Sequence, residues 1–140
     1  MKRVSFFMLA LLLPIIASAG NIVEVDGIYY NLVDKSKEAE VTVNPKGNYT
    51  MTIEIPAYIT YGGETYRVYS IGSDAFANCR NLFSVTIPNT VTNIGMHAFS
   101  SSGITSMDIP NSVTRIGKWA FMSCTNMKSV TIPNSVTFID

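Results

Sequence analysis

The run Leu-Phe-Ser-Val-Thr-Ile-Pro-Asn-Thr-Val-Thr-Asn-Ile-Gly-Met-His-Ala-Phe begins at Leu82 and returns from Ile104 with conservative changes. It starts a third time at Met127 and breaks off at Asp140. An Ile-Gly pair falls at Ile71, Ile94 and Ile116, Ile139 takes the next Ile position, and an Ala-Phe pair falls at Ala75, Ala98 and Ala120, in steps of 23 or 22 residues. Self-similarity at this period predicts a stacked array in which each repeat is one turn of a solenoid. It outranks any local reading of secondary structure.

Within a turn, Leu82, Val85, Ile87, Val91, Ile94, Ala98 and Phe99 are apolar and separated by polar residues. The next turn repeats the set as Ile104, Met107, Ile109, Val113, Ile116, Ala120 and Phe121. One turn cannot bury enough of these side chains to offset the entropy of ordering its backbone, so stacking is required. Pro88, Pro110 and Pro133 end a strand, because proline donates nothing to a ladder. Gly72, Gly95 and Gly117 mark a corner with no room for a side chain. The segment from Ser73 to Phe76 and its copies read as a short helical or irregular turn on the opposite side. The middle turn is one residue shorter between its Phe and the next strand, and Gly103 is expected to absorb the deletion.

Ahead of the regular turns the pattern is two-fold. Asp26-Gly27 between alternating apolar runs is a hairpin signal, and a charged turn from Asp34 to Glu38 leads to Glu40-Val41-Thr42-Val43. A strand over Thr50 to Ile55 already aligns with the repeat, ending at Pro56 as Ile87 ends at Pro88. Tyr58 to Tyr61 and Thr65 to Tyr69 flank Gly62-Gly63-Glu64 as a further hairpin, inserted into an end repeat. The predicted organisation is residues 1–19 as a signal peptide, 20–49 as a β-rich N-terminal cap and 50–140 as an array of about three and a half turns. The cap hairpins are expected to cover the apolar end of the first turn, as solubility of a solenoid demands.

Lys2 and Arg3, the apolar run from Val4 to Ile16 and the small residues Ala17-Ser18-Ala19 have the layout of a cleavable leader, with cleavage near Ala19 or Gly20. The run is short for a bilayer span, which needs about 20 apolar residues, so no membrane span is expected in the mature form. Export permits a disulfide, but Cys79 and Cys124 lie two turns apart with Ser102 in the slot between them. Strands about 4.8 Å apart place the two beyond the roughly 7 Å a bridge tolerates. Both are read as small buried residues. The ten basic and ten acidic residues balance, leaving no basic stripe for nucleic acid.

Taken together, Ile-Pro-x-x-Val-x-x-Ile-Gly-x-x-Ala-Phe-x-x-Cys-x-x-Leu, read from Ile55, Ile87 and Ile109, resembles the BspA-like leucine-rich repeat family over Thr50 to Asp140. The opening Val25-Asp26-Gly27-Ile28-Tyr29-Tyr30 is more loosely similar to the lead-in of such arrays. The resemblance implies a leucine-rich repeat solenoid with a parallel sheet in a secreted or surface-displayed bacterial protein. It also implies a non-catalytic role, some members being adhesins for host matrix or plasma proteins or for other bacteria. This sequence holds fewer turns than members commonly have and stops where Ile-Gly-x-x-Ala-Phe should continue. A fragment is therefore expected, in preference to an open edge that meets another chain.

Chemistry finds no foothold. His97 is the only histidine and occupies the slot of Asp74 and Trp119, an exposed variable position without a second ligand, whereas zinc wants several. No carboxylate pair recurs, and Ser84, Ser106 and Ser129 form a scaffold column. The chain is read as a non-enzyme with no cofactor. Alternation in the strands turns Ser84 and Thr86, Ser106 and Asp108, and Thr131 outward, beside a varying column of Phe83, Thr105 and Lys128. This sheet face is the candidate surface for a protein partner, whether host or bacterial. All seven tyrosines lie between Tyr29 and Tyr69, and Tyr58, Tyr61, Tyr66 and Tyr69 flank one hairpin. Exposed, they would suit protein recognition or stacking on a glycan; buried, they would plug the end of the core.

Overall fold

The computed structural model describes residues 21–140, and the predicted leader lies outside the described residues. Twelve strands follow one another: β1 (Asn21–Val25), β2 (Ile28–Val33), β3 (Glu38–Val41), β4 (Met51–Glu54), β5 (Tyr58–Tyr61), β6 (Glu64–Ile71), β7 (Leu82–Thr86), β8 (Asn93–Ile94), β9 (Ser106–Asp108), β10 (Arg115–Ile116), β11 (Ser129–Thr131) and β12 (Phe138–Ile139). No helix occurs among the described residues.

Each regular turn crosses two sheets. The larger runs β1-β2-β3-β6-β8-β10-β12, with β5 hairpinned onto β6. One row of partners crosses it: Val23, Tyr30, Val41, Ile71, Ile94, Ile116 and Ile139. All but the last are buried. The recurrent Ile of the Ile-Gly pair is therefore a strand residue of a second sheet, which the sequence reading did not foresee. A two-residue strand is too short to show alternation. The N-terminal strands join this sheet edge to edge, β3 parallel to β6, so that Val23, Tyr30 and Val41 prolong the isoleucine row. They occupy the end of the array next to β6, paired in the plane of the sheet.

On the other side, β4 pairs in parallel with β7, and β9 with β11. The corner between the sheets is as tight as expected: a methyl on Gly95 would lie 2.6 Å from the Ser73 nitrogen, and one on Gly117 the same distance from the Met96 nitrogen.

The segments after Ile-Gly are not helical, and their hydrogen bonds show why. Alternate N–H groups leave the turn altogether. Asp74, Phe76 and Asn78 donate to the carbonyls of Met96, Ala98 and Ser100, and His97, Phe99 and Ser101 to those of Lys118, Ala120 and Met122, at 2.7–3.0 Å. The N–H groups between them close tight turns within their own coil, such as Ala77 to Asp74 at 2.9 Å. A helix would need every N–H for itself. Asp74, His97 and Trp119 in one slot, and Asn78, Ser101 and Ser123 in another, hold φ between 54° and 61°, the left-handed region.

The phenylalanines of the Ala-Phe pairs form an interior ladder. Phe76 stacks on Phe99 at 5.2 Å and Phe99 on Phe121 at 5.5 Å. Tyr49 heads it, tilted 55° against Phe76 at 4.9 Å, with its hydroxyl accepting from the Tyr29 N–H and donating to the Thr42 carbonyl, both at 2.9 Å. At the far end Val130, Ile132, Phe138 and Ile139 are exposed.

Candidate binding surface

Strand alternation sets the face. In β7, Leu82 and Val85 are buried while Phe83, Ser84 and Thr86 are exposed; in β9, Met107 is buried between exposed Ser106 and Asp108. The pairing makes columns of the exposed positions: Thr52 beside Ser84 and Glu54 beside Thr86 in one pair, Ser129 beside Ser106 and Thr131 beside Asp108 in the other. The varying column is equally continuous. The Thr105 N–H donates to the Phe83 carbonyl at 3.3 Å and the Lys128 N–H to the Thr105 carbonyl at 2.8 Å.

Between β7 and β9 the ladder opens, because the shorter middle turn draws its chain in at Gly103. A shallow groove of about 310 Å³ follows that seam. Ser84 and Thr86 line one wall, Ser106 and Asp108 the other, and Pro110 closes one end. Four of the predicted residues thus meet in one groove, with Phe83, 48% exposed, at its flank. The groove offers hydroxyls and one carboxylate beside an aromatic ring. That combination suits hydrogen bonding to a polar ligand and offers no acid–base pair.

The tyrosine hairpin lies elsewhere, on the eight-stranded sheet. Tyr58 and Tyr61 are exposed, as a recognition surface requires. Tyr66 is not: it is buried, and its hydroxyl donates to Asp34 Oδ1 at 2.6 Å. That bond, ahead of burial, pushes its pKa up to about 12. Tyr69 is half-buried. The reason is register: Tyr66 faces Ile59 across the hairpin, on the core side. Of the four candidate tyrosines, Tyr58 and Tyr61 are presented, while Tyr66 takes the alternative of a core position.

Other placements differ from the reading. His97 is half-buried, its ring stacked on Trp119 at 5.1 Å and its Nδ1 3.6 Å from the Asp74 carboxylate, so the variable slot is a continuous stack of side chains. Both cysteines are free; Cys79 is buried and Cys124 partly so. Its Sγ lies 3.6 Å from Ser102 Oγ, one step from the Cys79 level, as the register required. The reading also missed the row beside the isoleucines in the larger sheet, in which Asn31, Glu40, Ser70, Asn93, Arg115 and Phe138 stand side by side, Ser70 wholly buried and Arg115 and Phe138 exposed. The Arg115 guanidinium sits over the Phe138 ring at 4.7 Å. Among the described residues no helix is long and apolar enough to cross a membrane, and no group of three His, Cys, Asp or Glu could hold a metal.

Bacterial proteins of solved structure share this architecture. A leucine-rich repeat protein from Bacteroides ovatus is 34% identical with a TM-score of 0.77, covering 84% of this chain and 31% of its own. A leucine rich cell surface protein from Faecalibacterium prausnitzii is 32% identical with a TM-score of 0.72, covering 87% of this chain and 33% of its own. The chain thus spans about a third of the length of these two. A leucine-rich repeat protein from Bacteroides capillosus is 29% identical with a TM-score of 0.76, and there the match covers 85% of this chain and 87% of the other. Among curated proteins none matches. Residues 52–140 match the model of the BspA type leucine rich repeat region, and on that match the chain belongs to the BspA-type leucine-rich repeat family.

Proposed function

We propose that this chain is a non-catalytic, adhesin-like binding module, secreted or held at the cell surface, that engages a host or bacterial protein through the seam between β7 and β9. The observation that carries this is the convergence of Ser84, Thr86, Ser106 and Asp108 on one groove with Phe83 exposed beside it. The recurrent letters go to core, corner and the serine column, while Phe83 and Thr86 are replaced by Thr105 and Asp108 in the next turn, so those positions vary. Solenoids commonly present their partners with such a sheet face. The surface location described for the Faecalibacterium prausnitzii protein supports the same reading. In this proposal residues 1–19 direct export and are removed near Ala19, and residues 20–49 shield the first turn of the array over 50–140.

Immobilised matrix proteins, plasma proteins and bacterial cells presented to the purified chain test the proposal. Binding to one of them should fall at least tenfold in Phe83→Ala with Asp108→Ala, while unfolding is unchanged. Binding that survives both substitutions would place the contact elsewhere.

The exposure of Tyr58 and Tyr61 favours a second reading, capture of a glycan on the hairpin β5–β6. A glycan array with Tyr58→Ala and Tyr61→Ala separates the two readings, since only glycan capture predicts a loss there.

A further inference from the structure

The deletion in the middle turn leaves a second mark besides the seam. Between the level of Cys79, Ser102 and Cys124 and the strand that follows, the first regular turn carries Arg80 and Asn81 and the last carries Thr125 and Asn126. The middle turn carries Gly103 alone. The flanking turns thus form two lips with a notch between them. Two strand spacings separate the lips, roughly 10 Å from backbone to backbone, and the notch has a volume of about 320 Å³. Ser102 and Gly103, both buried, are its floor; Arg80 stands on one side, and Ser123, Thr125 and Asn126 on the other. The lining side chains are polar, none is acidic, and Arg80 carries the one charge among them. Among the described residues its guanidinium enters no ion pair and lies over no ring.

We propose that this notch binds one acidic sugar unit, a pyranose carrying a carboxylate. The planar guanidinium fork matches a carboxylate through two parallel N–H···O bonds. Ser123, Thr125 and Asn126 offer donors and acceptors together, as ring hydroxyls require. A bare inorganic oxoanion would leave those acceptors unanswered. A neutral sugar would leave Arg80 unanswered, and no aromatic ring lines the notch to hold it by stacking. The notch shares no lining residue with the β7–β9 seam, so the site does not depend on the protein contact proposed there.

The probe is D-glucuronate, titrated into the purified chain and followed by amide chemical shifts. D-glucose is the neutral control and inorganic sulfate the bare oxoanion. Saturable shifts should centre on residues 80–81, 101–103 and 123–126, with glucuronate at least tenfold tighter than either control. Arg80→Gln should remove the preference for glucuronate over glucose. Arg80→Lys keeps the charge but loses the fork, and should weaken glucuronate about tenfold. Both variants alter an exposed side chain and leave the core untouched. Insertion of one asparagine after Gly103 gives the middle turn the length of its neighbours, and should fill the notch and abolish binding. Absence of saturable shifts, equal binding of glucose or sulfate, undiminished binding by Arg80→Gln, or binding that survives the insertion would each overturn the proposal.

Discussion

Gly103 and Arg80 touch backbone to backbone: a methyl on Gly103 would overlap the Arg80 carbonyl oxygen and lie 2.9 Å from its carbon. The Gly103 N–H meanwhile donates to the carbonyl of Cys79 at 3.0 Å. This contact is how the middle turn loses a residue and still stacks. Its cost is the open seam between β7 and β9.

Gly103→Ala should therefore be among the most damaging single-methyl changes in the chain. Overpacking against backbone typically costs about 1–3 kcal/mol, and here no side chain can yield to relieve it. Urea unfolding should show a loss at or above the top of that range. The same substitution should disturb the seam, so the partner-binding assay should respond as well. A loss under about 0.5 kcal/mol would show that the two turns can separate at no cost.

The aromatic ladder predicts a gradient. Phe99 is wholly buried between Phe76 and Phe121, whereas Phe121 is only partly buried. Phe99→Ala should cost about 3–5 kcal/mol, as deletions of buried aromatics do. Phe121→Ala should cost less than half as much, because its site is already open to solvent and leaves no closed cavity. Equal losses on chemical denaturation would argue that the ladder does not act as a stack.

Much of this architecture was legible because a repeat makes each position vote several times. The strands at β7, β9 and β11, the outward Ser84, Ser106 and Asp108, the strand-ending prolines and the tight corners at Gly95 and Gly117 followed from register alone. What register could not show was where each backbone N–H goes. A Gly-x-x-Ala-Phe segment with bonds inside its own coil reads as a helical turn, and only its neighbour's carbonyls make it a ladder. The insertion between β4 and β6 broke the register, so the facing of Tyr66 had no repeat to vote on it. Tyr66 and Tyr58 are equally favoured in strands, and nothing in residue type told the core side from the outer one.

The left-handed slots can be tested where no neighbouring ring complicates the outcome. Ser101 holds φ at 56° so that its N–H can reach the Met122 carbonyl at 2.8 Å. Ser101→Val should cost about 1–2 kcal/mol, since a β-branched residue resists this conformation. Ser101→Gly should be neutral or stabilising, because glycine adopts it freely. Thermal melts of the pair read the difference directly. If valine were tolerated as well as glycine, the bond between the turns would not require the left-handed backbone.

Stability should also fall at both ends of the pH scale, for opposite reasons. The Arg67 guanidinium, bonded to Glu38 Oε1, holds the Glu38 carboxyl below its ordinary 4.5. A depressed carboxyl stabilises the fold above its unfolded pKa, and that contribution disappears as pH falls through the folded value. At the alkaline end the sign reverses. The Tyr66 phenol, bonded to Asp34, is raised to about 12 from 10.0. Its contribution is complete below about pH 10 and drains away as pH climbs to the folded value of about 12. Burial lifts Tyr49 into the same window. Chemical denaturation across the pH range should thus show a plateau with an acid shoulder and an alkaline shoulder. Glu38→Gln should reduce only the first, which Glu24 shares, and Tyr66→Phe only the second. Tyr66→Phe leaving the alkaline slope unchanged would assign that window to the other raised phenols, Tyr30, Tyr49 and Tyr69, and remove the Asp34 bond from the account of stability.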